Sequence, residues 1–94
     1  MDKFADIEAL TAVVDAGTFS AAGKRLGVAK SVVSRRITQL EQRLGSKLLH
    51  RTTRRLALTD AGRNFYQRAV QILADLDDAE QSVTEETFEL RGSI

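Results

Sequence analysis

The chain has 94 residues, 43% of them hydrophobic and 29% charged, which is room for one small domain around a single core and excludes a disordered tail. It has no cysteine, which excludes a disulfide framework and a thiolate metal site, and no apolar run near the roughly 20 residues that span a bilayer. The net charge of +1 conceals an uneven distribution: residues 18–58 carry ten lysines and arginines against one acid, Glu41, while residues 1–17 and 59–94 are both acidic.

Phe4, Ile7, Leu10 and Val14 recur at helical spacing and predict an amphipathic helix from about residue 4 to Ala16, ended by Gly17. Thr18 is the expected N-cap of a short second helix, FSAAGKRL, in which Ala21 and Ala22 admit a close neighbour and which Gly27 stops. After GVA comes KSVVSRRITQLEQRLG, where Val33, Ile37, Leu40 and Leu44 form one apolar stripe, closed by Gly45. Two helices joined by so tight a turn, the second amphipathic and basic, are a helix-turn-helix pattern. Leu48 and Leu49, then Leu56 and Leu58, frame an arginine-rich stretch and predict a short β-hairpin, a wing beside the helix-turn-helix.

A further helix is expected to start at Thr59, with Asp60 in its first turn, and to run to about Thr87. Phe65, Ala69, Ile72, Leu76, Ala79 and Val83 alternate steps of four and three along it, a heptad seam. At 1.5 Å per residue such a helix is roughly 40 Å long, more than a small domain covers by itself, so the seam is expected to form a homodimer interface. The expected organisation is a winged helix-turn-helix over residues 1–58, a linker (dimerisation) helix over 59–88 and a hinge over 89–94, in a mainly α fold with a three-helix core.

Catalysis finds little support. His50 is the only histidine and has no cysteine or second histidine with which to hold a metal. Asp75, Asp77, Asp78 and Glu80 scatter over the polar side of their helix, and no glycine-rich phosphate loop or activated nucleophile is present. A basic middle third between acidic flanks points instead to a polyanion, with a merely solvated face as the bland alternative. At about 100° per residue, Ser31, Arg35, Thr38 and Gln42 fall opposite the buried stripe of the third helix, flanked by Val32, Gln39 and Arg36 on one side and Ser34 on the other. Arginine pairs bidentately with guanine, serine and glutamine bond base edges, and Val32 either meets a thymine methyl or is partly buried against the preceding helix. Arg36 is expected to hold a phosphate, as are Ser20 and His50. Arg51, Arg54 and Arg55, crowded at the hairpin, find their counter-charge in phosphates or a narrow minor groove, and Thr52 and Thr53 donate to phosphate oxygens.

The stretch AAGKRLGVAKSVVSRRITQLEQRLGSKLLHRTTRRLALTDAG resembles the N-terminal DNA-binding domain of LysR-type transcriptional regulators, with its LE-x-x-LG-x-x-LL-x-RTTR passage and LT-x-AG helix start. The resemblance covers about residues 3 to 90. It implies a cytoplasmic bacterial regulator that binds double-stranded DNA as a homodimer through antiparallel linker helices, with a tetramer open to the full-length protein. By position it places Lys30, Ser31, Ser34 and Arg35 at base contacts and Arg51, Arg54 and Arg55 where the wing grips DNA. It implies no cofactor here; a small-molecule effector belongs to a C-terminal domain that the closing LRGSI would enter. Two positions depart from the family pattern: Ala29 replaces a frequent serine just before the recognition helix, and Lys30 replaces a frequent glutamine. A protein-docking winged helix and a sequence-indifferent architectural DNA binder are the rival readings.

Overall fold

Helix α1 (Lys3–Ala16) starts where the Asp2 carboxylate accepts the backbone N–H groups of Phe4 and Ala5, at 3.0 and 3.1 Å. The computed structural model describes residues 2–51 and 56–92, with side chains described as far as residue 84. Helix α2 (Phe19–Leu26) is capped by Thr18, whose hydroxyl accepts the Ala21 N–H at 3.0 Å, and α3 (Lys30–Leu44) follows after three residues. The turn between them needs Gly27, whose φ of 70° lies in the left-handed region. Helix α3 starts without help: Ala29 makes no side-chain cap, as the replacement of serine there implies.

Strands β1 (Leu49–Arg51) and β2 (Leu56–Leu58) pair antiparallel in the register Leu49–Leu58, His50–Ala57, Arg51–Leu56. The expected hairpin is therefore present; its tip, with Thr52, Thr53, Arg54 and Arg55, lies outside the described residues. Helix α4 (Asp60–Gly92) then runs for 33 residues, and the molecule is 59 Å in its longest dimension. It includes residues 89–92, within the stretch expected to form a hinge, and neither proline nor glycine falls between Gly62 and Gly92.

The core joins Leu10 and Val13 of α1, Ala22 of α2, Val33, Ile37 and Leu40 of α3, and Leu48 and Leu49 at the hairpin base. Four expected core positions differ. Phe4 and Leu44 are exposed, Leu44 at 44%, and Ile7 and Val14 are only half-buried. Helix α1 is in contact with α2, α3 and α4, so its inner face is broad and takes in Ala9, Ala12 and Asp6 rather than one narrow stripe. In α3 the chain folds back after Gly45 over the side of Glu41, one position past Leu40, and leaves Leu44 at the rim.

Thr59 joins hairpin to α4. Its hydroxyl accepts the Gly62 N–H (2.9 Å) and donates to the Lys47 carbonyl (2.7 Å), while its own N–H donates to the Leu48 carbonyl (3.0 Å). Gly62 packs directly on Leu48; a Cβ at this position would lie 1.9 Å from the Leu48 carbonyl oxygen. The family-like LT-x-AG sequence thus has a packing reason, since only glycine fits so close to that backbone.

Candidate nucleic-acid interface

Helix α3 presents Lys30, Ser31, Arg35 and Gln39 to solvent, with Val32, Ser34, Arg36 and Thr38 half-buried along the edges of the same face. Val32 thus sits partly packed yet not enclosed, between its two expected roles. Gln42 continues the exposed face toward the C-terminal end. Because Ala29 offers no cap, the first amides of α3 keep their positive end open, which favours an anion at that end of the helix. Ser20 is exposed in the first turn of α2, and His50 is exposed on β1 opposite Ala57.

Arg51 connects the hairpin to this face. Its Nη2 lies 3.4 Å from the Thr38 hydroxyl and 3.4 Å from Oε1 of Glu41, and the guanidinium carbon stands 5.3 Å from the centre of the Phe19 ring. One arginine on β1 therefore touches α2 and α3 together, combining an ion pair with a cation–π contact. Arg54 and Arg55, its expected companions, lie outside the described residues.

Sequence alone assigns Glu41 nothing but a charge, yet it organises the junction. The residue is 5% exposed. Its Oε2 accepts the N–H groups of Leu48 and Leu49 at 2.8 and 3.3 Å, and its Oε1 faces Arg51 at 3.4 Å and Lys47 at 3.9 Å. A buried carboxylate is tolerated when backbone donors and cations surround it, as here. The available signal was its position as the single acid among ten cations. Asp6 of α1 is likewise buried and pairs with Arg43 of α3 at 3.4 Å.

The seam on α4 divides in two. Ala69 is 1% exposed and Phe65 packs on the core of its own domain, where the first turns of α4 lie against α1. Tyr66 reinforces that junction by donating its hydroxyl proton to Asp15 Oδ1 at 2.5 Å. Accepting that bond, Asp15 raises the phenol's pKa above the ordinary 10.0, aided by burial and the carboxylate's charge. Beyond them Ile72, Leu76, Ala79 and Val83 are exposed along one face, Val83 at 61%. Among the described residues no three acidic, histidine or cysteine side chains converge as a metal site would require, and no helix is long and apolar enough to cross a membrane.

Residues 4–63 match the family described as bacterial regulatory helix-turn-helix protein, lysR family. An uncharacterised HTH-type transcriptional regulator of Haemophilus influenzae is 38% identical over all 94 residues, which span 33% of its length. Among solved structures, the BenM DNA-binding domain in complex with catB site 1 DNA is similar, with a TM-score of 0.85 and 31% identity over 89% of this chain and 94% of that one. The CbnR DNA-binding domain, also in complex with DNA, has a TM-score of 0.82 and 32% identity over 92% and 99% of the two chains. With its helix-turn-helix, hairpin and long following helix, the chain belongs to the lysR family of bacterial regulatory helix-turn-helix proteins.

Proposed function

We propose that this chain binds double-stranded DNA sequence-specifically, as the DNA-binding domain of a cytoplasmic, non-catalytic transcriptional regulator that works as a dimer on an inverted repeat. The observation that carries the reading is the single polar and cationic surface formed by Lys30, Ser31, Arg35 and Gln39 with Arg51 against Thr38. Such a rod enters a major groove by its N-terminal half, and the adjoining hairpin then meets the flanking backbone. The DNA complexes of the similar BenM and CbnR domains support the same placement. The exposed band of Ile72, Leu76, Ala79 and Val83 is the surface through which two α4 helices pair, fixing the distance between half-sites. A protein-docking role gains no observation of its own.

Arg35 provides the test. It projects from the exposed face of α3 and makes base contacts in this reading, so Arg35→Ala removes about 1–3 kcal/mol of discrimination between cognate and scrambled duplexes. Fluorescence anisotropy with both duplexes measures it. Equal losses on both would assign Arg35 to the backbone and overturn its readout role.

A further inference from the structure

The Glu41–Arg51 contact carries a consequence for specificity that rests on the DNA-binding reading above. A cation on a DNA-facing hairpin ordinarily adds affinity for any duplex, because each phosphate it neutralises releases counterions whatever the sequence. Arg51 is placed otherwise. Its side chain is 35% exposed, its guanidinium faces a buried carboxylate, and its central carbon stands over the Phe19 ring. The carboxylate itself is anchored, since Oε2 is held by the Leu48 and Leu49 amides and Oε1 alone is left for cations. Lys47 also approaches Oε1, but at 3.9 Å and with a side chain 79% exposed its charge stays in water.

We propose that Glu41 is a specificity-determining residue that never touches DNA: it holds Arg51 against Thr38 and Phe19, and so keeps a hairpin cation from grasping phosphate without regard to sequence. The Arg51–Glu41 separation of 3.4 Å is longer than the 2.7–2.9 Å of a tight charge-assisted bond, so the arginine is restrained rather than locked. Removing the negative charge while keeping an acceptor for the two amides releases it.

Glu41→Gln makes that change. The salt dependence of binding to an unrelated duplex is measured for the wild-type chain, for Glu41→Gln and for Glu41→Gln combined with Arg51→Met, with circular dichroism to establish folding. Glu41→Gln is expected to steepen the log–log slope by about 0.9, the contribution of one added phosphate contact, and so to widen its unrelated-duplex affinity relative to wild type about 3.5-fold for each fourfold dilution of salt. Cognate affinity rises less, so discrimination narrows. In the combined variant the added slope disappears.

Equal weakening on both duplexes with an unchanged slope would reduce Glu41 to a structural role and overturn the inference. Persistence of the added slope after Arg51→Met would assign the released cation to Lys47 and overturn it equally. If Glu41→Gln does not fold, NMR of the wild-type chain decides: Arg51 side-chain protons keep their contacts to the Phe19 ring when unrelated duplex is added, and loss of those contacts would refute the restraint. A wild-type chain that binds no duplex at all overturns the DNA-binding reading itself, an outcome distinct from a binding chain whose Glu41→Gln variant behaves as wild type.

Discussion

Gly62→Ala sets two local rules against each other. An α-helix ordinarily gains about 1 kcal/mol when an interior glycine becomes alanine. Here the new methyl carbon would stand 1.9 Å from the Leu48 carbonyl oxygen, 2.8 Å from its carbon and 3.1 Å from its Cα, all of them backbone atoms that cannot rotate aside. The first turn of α4 must move off the hairpin base. That strains the Thr59 N–H bond to Leu48 and the Thr59 hydroxyl bond to Lys47, each worth about 1 kcal/mol. Overpacking adds about 1–3 kcal/mol. Against the propensity gain, the net loss is about 2–4 kcal/mol, and for a domain this small the melting temperature falls by about 10–30 °C. Urea denaturation followed by circular dichroism reads it as a lower midpoint at unchanged slope. A variant as stable as the wild type, or more so, would refute the close approach of α4 to Leu48.

Two further outcomes follow from α4. Tyr66 has a raised pKa in the folded chain, so the stabilisation from its bond to Asp15 is fully present below pH 10 and is lost as the pH rises through the raised folded value. The stability gap between wild type and Tyr66→Phe therefore closes on going from pH 9 to strongly alkaline solution, and a gap constant across that range would show that the phenol does not hold α4 to α1. Leu76→Asp places a charge in the exposed apolar band and is expected to convert the dimer to monomer in sedimentation while leaving the helix-turn-helix folded, because Leu76 lies beyond the part of α4 that packs on its own domain. A variant that stays dimeric would remove this band from the interface.

Local signals carried the element boundaries. Both ends of α2 and the end of α3 fall at the expected residues because Thr18, Gly27 and Gly45 act within one turn of the backbone they terminate. The hairpin was legible from two leucine pairs, and the cationic face of α3 from its angular spacing. What spacing could not show was which side of each helix would meet more than one neighbour. Leu44 continues the stripe of α3 yet is exposed, and Glu41 beside that stripe is buried, because the backbone amides of Leu48 and Leu49 return over it. Ala69 fits a heptad as well as Leu76 does; only the docking of α4 on α1 separates the domain's own contacts from the exposed band. Burial of a carboxylate depends on donors supplied by other segments, and no pattern along one helix contains them.

Selection from a pool of random duplexes tests the central claim most directly, because it asks the α3 face to choose without a presumed site. The wild-type chain is expected to enrich an inverted repeat and to bind it with a log–log salt slope of about −0.9 per phosphate contacted. An unenriched pool, with binding flat across salt, would contradict sequence recognition by α3 and the electrostatic role of the basic segment together.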